Sequence, residues 1–292
     1  MPAPADTALV HTSFYRFVPL ADPDAVVAVL RELVQPLKGS VLVAEEGISG
    51  ALAGPVDDVA AFEQAVQHDA RLAGAFLGMP FKHSACRTRP FWKVRVQRKK
   101  EIVALNLPGV TGAVPDRATG QHLAPEAWRE LIARDDVVVL DNRNSFEYRL
   151  GHFQGAVDPC VGNFRDFPAY VAEHAAHWQA EGRKVAMYCT GGIRCEKTSA
   201  WMQQFGLDVY QLDGGILNYF QQLPDADRDW QGECFVFDNR VAVDTCLQET
   251  DTTVDQVYGD SPDEAWRLER ARRLESAQPK QANAIPAQDN PT

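Results

Sequence analysis

Between Pro108 and Pro125 the chain gathers three prolines and three glycines among small and polar residues, a composition that neither a helix interior nor a central strand tolerates. This stretch divides the 292 residues into parts of domain size, since one domain usually takes about 100–200 residues. The sequence is therefore read as a domain over 1–107, a linker over 108–124, a second domain over 125–230, an extension over 231–248 packing on the core, and a polar, partly disordered tail over 249–292.

The two main parts differ in hydrophobic texture. In the first, Val10–Val18, Val41–Ala44, Ile48–Ala53, Phe91–Val96 and Ile102–Leu107 read as strands, and Ala25–Leu37 and Pro55–Leu72 as helices. The order βαββαβ predicts a ferredoxin-like, split βαβ domain. In the second, Val137–Leu140, Lys184–Tyr188 and Val209–Leu212 are short apolar runs of the kind buried in a parallel sheet. Helices are expected over Pro125–Arg134, Phe164–Ala180 and Glu196–Phe205, and a solvated helix over Asp263–Ser276. This part is α/β with a parallel sheet.

Composition narrows the function classes. With 45% hydrophobic and 24% charged residues the chain has ordinary globular make-up. It contains no run approaching the roughly 20 apolar residues that span a bilayer and no secretion signal at its start, so the cytoplasm is expected. A net charge of -11 argues against coating nucleic acid through bulk positive charge. Six scattered cysteines without CxxC spacing predict neither a disulfide framework nor an all-cysteine zinc site, which turns attention to thiol catalysis.

The sharpest local signal is Tyr188-Cys189-Thr190-Gly191-Gly192-Ile193-Arg194-Cys195-Glu196-Lys197, set between a buried strand and a helix. Adjacent glycines let the backbone curl so that successive N–H groups point inward, and the helix adds the positive end of its dipole. The expected product is an anion cradle with Cys189 on its floor, an acidic thiol steadied by Arg194. The bland alternative for Cys189 is a small buried hydrophobe at the end of a strand, set behind the nucleophile by analogy with catalytic strand-turn-helix motifs. Cys195, in the first helical turn, reads as a buried or resolving thiol rather than the nucleophile. Glu196 and Lys197 read as capping and surface residues.

This loop resembles that of the rhodanese fold, and further landmarks stand in order: Asp141-Asn142-Arg143, Glu147, Gly151-His152-Phe153, Gly155-Ala156 and Gly214-Gly215-Ile216. Six residues from Cys189 to Arg194 match the sulfur-transferring branch of that superfamily; the phosphatase branch has a loop one residue longer. The resemblance extends to Ser13-Phe14-Tyr15, Ala44-Glu45-Glu46-Gly47-Ile48-Ser49-Gly50, Phe81-Lys82 with Ser84, Lys99-Lys100-Glu101-Ile102-Val103 and Glu233-Cys234-Phe235-Val236-Phe237-Asp238. Over residues 10–246 the chain looks like the bacterial rhodanese-domain tRNA uridine hydroxylases. It departs from them at Ser49, where they commonly have Asn, and in a tail without their cysteine-rich segment.

The resemblance implies an oxidoreductase that places oxygen on carbon 5 of the wobble uridine of tRNA, with molecular oxygen as co-substrate. Cys189 could add to carbon 6 of the base, making carbon 5 electron-rich, or could carry a persulfide or oxidised sulfur; the sequence leaves both open. No metal triad or flavin fingerprint is visible, so no cofactor is expected. Arg143 is placed near the pocket, or else in an ion pair with Asp141 or Glu147 that supports the loop. His152 reads as a stabilising side chain. For tRNA, residues 82–100 carry eight positive charges without an acidic residue, interleaved with Phe91 and Trp92. Arg95, Arg98, Lys99 and Lys100 are the RNA-binding candidates, against the reading of a solvated strand face with an aromatic turned inward. A thiosulfate or persulfide sulfurtransferase needs the same loop but neither the first domain nor the basic strip. A non-catalytic rhodanese-like binding module has no need of the thiol.

Overall fold

The computed structural model describes residues 9–113, 120–259 and 261–276. They form two compact units, one containing residues 9–102 together with Phe237–Val241 and 269–276, the other containing Val103–Val236 with Ala242–Leu268.

The first unit runs β1 (Leu9–Phe17), α1 (Pro23–Leu33), β2 (Lys38–Ala44), β3 (Gly47–Pro55), α2 (Val56–His68), β4 (Phe81–Ala85) and β5 (Val94–Arg98). Asp22 starts α1 by accepting the Ala25 N–H at 3.0 Å, with Pro23 in the first turn. The sheet has the order β4-β1-β3-β2-β5, antiparallel except where β5 runs parallel to β2. One face of it, with Phe14, Val41, Val43, Ile48, Leu52 and Val96, packs on the apolar stripes of α1 and α2 to make the core.

Three details depart from the sequence reading. The strand that completes the βαββαβ order is Phe81–Ala85, whose Phe-Lys-His-Ser-Ala carries little apolar signal because it lies on a sheet edge. The expected strand at Phe91 begins at Val94 and is an added fifth strand. Ile102–Leu107 is not a strand: Ile102 is buried and donates its N–H to Glu46 Oε1 at 2.9 Å, whereas Leu105 joins the core of the second unit.

Phe237–Val241 completes the first unit. Arg240 pairs with Asp238 at 2.7 Å and donates through Nη1 to Ser84 Oγ at 2.7 Å, while Asp238 Oδ2 lies 3.5 Å from His11 Nε2. The Asn239 N–H donates to the Pro90 carbonyl at 3.1 Å. Burial, helped by the charge of Arg240, lowers His11 to about 3, so this ring is neutral.

The second unit runs β6 (Gln121–Leu123), α3 (Pro125–Ile132), β7 (Val137–Asp141), α4 (Ser145–Leu150), β8 (Gly151–Phe153), α5 (Phe167–Ala180), β9 (Lys184–Tyr188), α6 (Ile193–Met202), β10 (Asp208–Leu212), α7 (Gly215–Gln222), β11 (Trp230–Gly232), β12 (Cys234–Phe235), β13 (Ala242–Val243) and α8 (Val254–Tyr258); α9 (Ala265–Ser276) closes the described chain. Strands β6, β10, β9 and β7 form, in that order, a wholly parallel sheet. Trp128, Phe153, Tyr188 and Tyr219 fill one side of it, and Phe167, Val171, Trp178 and Met202 the other. Gln121–Leu123 is thus a strand within the stretch read as linker; a short polar edge strand leaves no hydrophobic signature. Residues 114–119 of that stretch and the tail from 277 lie outside the described residues. Among the described residues no helix is long and apolar enough to cross a membrane.

Candidate active site

Strand β9 ends at Tyr188 and α6 begins at Ile193, leaving four residues to turn the chain. Gly192 makes the turn at φ +96° as the residue before the helix. The Ile216 and Leu217 N–H groups at the start of α7 donate to the Cys189 and Thr190 carbonyls, at 3.0 and 3.2 Å. With the loop carbonyls drawn outward, its N–H groups are left to face the sulfur. Gly215, at φ +70°, allows this approach: a Cβ there would lie 2.4 Å from the Cys189 carbonyl oxygen and 2.7 Å from the Gly192 nitrogen.

Cys189 is 1% exposed. Its Sγ accepts the Gly192 N–H at 3.1 Å. Burial opposes its ionisation, but the thiol of Cys195, the charge of Arg194 and the N–H groups of Cys195 and Arg194 all favour the thiolate and bring the group down to about 5. Cys189 is therefore a thiolate at neutral pH. Burial and the adjacent Cys189 push Cys195 well above the ordinary thiol range, which makes it the donor of the pair.

Arg194 does not stand alone beside the sulfur. Its Nη1 and Nη2 each donate to Glu147 at 2.8 Å in a fork, and Nη2 also reaches Thr190 Oγ1 at 3.3 Å. Glu147 is fully buried and also accepts the Asn144 N–H at 3.1 Å. Burial disfavours its charge, yet Arg194 outweighs that and holds the carboxyl below its ordinary range. The sequence offers Glu147 as a fold landmark and as one possible partner of Arg143, but its partner in the fold is Arg194. Its burial beneath the loop, 47 residues from Arg194, left no local trace.

Of the sequence candidates, Cys189, Thr190, Gly191, Gly192, Ile193 and Arg194 thus form one loop. Asp141 and Arg143 form a separate buried brace behind it. They pair at 2.6 Å with both side chains at zero exposure, Arg143 also donates to the Gly151 carbonyl at 2.6 Å, and its guanidinium lies over the rings of Tyr188 and Trp230 at 5.5 and 5.4 Å. Tyr188 Oη donates to Asp141 at 2.7 Å. Arg143 is therefore an internal support of the strand end rather than a second arginine in the pocket. Lys197, expected at the surface, is 1% exposed and donates to the Val103 carbonyl at 2.9 Å. His152 stacks on Tyr148 with ring centroids 3.9 Å apart.

The RNA-binding candidates lie in the first unit. Arg95, Lys99 and Lys100 are exposed, and Arg98 pairs with Glu45 at 3.1 Å. A groove of about 650 Å³ along β5 and α1 is lined by Arg31, Arg95 and Arg98 together with Val34, Val94 and Gln97. Phe91 stacks on His11 at 5.9 Å and Trp92 lies under Arg89 at 5.4 Å. Both rings are half-buried against side chains of their own unit.

What this arrangement offers chemically is a nucleophile ionised without a separate base. Titration of the thiolate ultraviolet absorbance, with Cys189→Ser as the blank, is expected to show one group near pH 5. In Cys195→Ala the transition moves upward because the thiol donor is gone, and in Cys195→Ser, which keeps a hydroxyl donor, it moves less. An unmoved transition in Cys195→Ala would show that the loop alone sets the acidity.

Residues 9–102 match the UPF0176 acylphosphatase like domain and residues 124–222 the rhodanese-like domain. A tRNA uridine(34) hydroxylase of Deinococcus radiodurans is 44% identical over 87% of this chain and 82% of its own length. One of Legionella pneumophila (strain Paris) is 39% identical over 91% of this chain and 99% of its own. A third, from Nitrobacter winogradskyi, is 43% identical over 82% of this chain and 92% of its own.

Proposed function

The chain belongs to the tRNA uridine(34) hydroxylase family, and from that premise we propose that it is an oxygen-dependent oxidoreductase converting the wobble uridine of tRNA to 5-hydroxyuridine, with Cys189 as nucleophile. The observation that carries the reading is the loop itself, which buries the Cys189 sulfur against the Gly192 N–H at 3.1 Å beside Arg194 and so favours its thiolate. A thiolate is the group suited to adding at carbon 6 of a pyrimidine, which leaves enolate character at carbon 5. Arg194 stays fixed by Glu147 during this step, so its charge is available where negative charge moves from sulfur to the ring.

The electron balance then runs through dioxygen. Carbon 5 bonds one oxygen atom of O2, giving a hydroperoxide. A small-molecule thiol reductant cleaves the O–O bond, leaving one oxygen on carbon 5 and releasing the other as water, while two thiols become a disulfide. Loss of the carbon 5 proton and of the carbon–sulfur bond restores the ring and returns Cys189 as thiolate. The proposed reaction needs no resident cofactor, and a tRNA substrate supports a cytoplasmic setting for it.

The test uses labelled oxygen gas. The purified full-length chain, unmodified tRNA and a thiol reductant should yield 5-hydroxyuridine carrying one atom of the label, and none under strict anaerobiosis. Product formed without oxygen, or labelled from water, would overturn the mechanism. Formation of thiocyanate from thiosulfate and cyanide with uridine untouched would return the chain to the sulfurtransferases.

A further inference from the structure

In the first unit α1 and α2 cover one face of the five-stranded sheet, and the residues on its other face stay out of that core. Pairing across the strands places Lys82 (β4), Ser13 (β1), Ala51 (β3), Ser40 (β2) and Arg95 (β5) in one row. The adjacent row holds Tyr15, Ser49, Leu42 and Gln97. Every one of these nine residues is exposed or half-buried. Tyr15 meets Phe17 edge-on at 5.9 Å, and the Lys82 ammonium lies over the Tyr15 ring at 5.5 Å.

We infer that this face is a platform for single-stranded RNA, on which a nucleobase of the substrate's anticodon loop stacks against Tyr15 and Phe17 while Lys82 and Arg95 take flanking phosphates. The inference rests on the tRNA reading above and adds where and how the loop is held. Three observations favour RNA over a protein partner. The centre of the face is built mainly from Ser13, Ser40, Ser49 and Ala51, with Leu42 as its one larger apolar side chain, which gives little apolar relief to anchor a protein side chain. The aromatic surface is gathered on β1, where a base can stack whatever its sequence. The cations stand at opposite sheet edges, four strand spacings or about 19 Å apart, a span suited to a few nucleotides of extended strand. Lys82 already occupies the Tyr15 ring with its charge, and an arriving base exchanges that cation–π contact for stacking and releases Lys82 to a phosphate.

Binding of a fluorescent RNA hairpin with uridine at the wobble position of its loop tests this on the full-length chain. Tyr15→Ala should weaken binding at least about fivefold, since stacking contributes about 1–3 kcal/mol per base. Tyr15→Phe should stay within roughly twofold of wild type. A fully base-paired control RNA should not distinguish Tyr15→Ala from wild type, because a merely structural defect would weaken both. Lys82→Ala with Arg95→Ala should reduce the salt slope by about 0.7 per lost phosphate contact. Photo-crosslinking of hairpins carrying 5-iodouridine should label the peptide bearing Tyr15 in the unmutated protein, an outcome independent of how any variant folds. Unchanged hairpin affinity in a folded Tyr15→Ala, or crosslinks confined to other peptides, overturns the platform. If unmutated enzyme still makes labelled product in that case, the hydroxylase reading stands and the platform alone is lost; absence of RNA binding by the unmutated chain overturns both.

Discussion

Cys189→Ser is expected to lower 5-hydroxyuridine formation by at least about 10³-fold while leaving tRNA affinity and the unfolding midpoint close to wild type. The side chains differ little in size, and the Gly192 N–H that now meets the sulfur at 3.1 Å can meet a hydroxyl. What is lost is ionisation. The cradle lowers the thiol to about 5, so nearly every molecule carries a thiolate at neutral pH, whereas the same stabilisation applied to a serine hydroxyl leaves it protonated. The check is quantitative nucleoside mass spectrometry with the folded variant at saturating tRNA. Turnover within tenfold of wild type would remove Cys189 from the chemistry and move attention to Cys195.

The second large effect is expected at Glu147, through stability as well as rate. Glu147→Ala strands the guanidinium of Arg194, whose side chain is only 9% exposed, without the fork that compensates its charge. Breaking a buried pair in this way costs about 3–5 kcal/mol. Glu147→Gln keeps the shape and some of the hydrogen bonds, so it should lose less stability yet still disturb the loop, because Thr190 and Arg194 share that carboxylate. The sign with pH follows from the lowered carboxyl. Its contribution is fully present above the unfolded value of 4.5 and is lost as the pH falls through the folded value. The stability gap between wild type and Glu147→Gln should therefore be widest near neutrality and narrow in acid. Denaturant unfolding at several pH values checks this; a gap that widens on acidification would show that the carboxyl is not held ionised by Arg194.

The reactive loop was legible in the sequence because its geometry is local. A buried strand, two glycines and a helix start are all that is needed to turn N–H groups toward Cys189. The parallel sheet was legible for a similar reason: each of its apolar runs is buried on both sides and needs no partner to be seen. The partners of individual buried side chains were not, whether near or far along the chain. Arg143 could be placed in the pocket or in an ion pair, and nothing short of the fold shows that Asp141 and the Gly151 carbonyl take it out of reach. Lys197 has the sequence neighbourhood of a surface residue, and only the return of the chain at Val103 buries it. Phe81–Ala85 escaped detection as an edge strand, since pairing with β1 rather than hydrophobic alternation creates it.

Asp238, Asn239 and Arg240 are synthesised long after the strands they complete, and this sets an order of events on the ribosome. The sheet of the first unit can pair as soon as Arg98 has emerged. Ser84 then lacks the guanidinium that donates to it, and His11 lacks its carboxylate neighbour, until almost the whole of the second unit has been made. The earliest part of the protein to appear is thus among the last to be finished. Translation products that stop after the second sheet should carry a first unit whose amides around His11 and Ser84 exchange with solvent faster than in the full-length chain, so that protection at this seam reports that synthesis has passed Arg240.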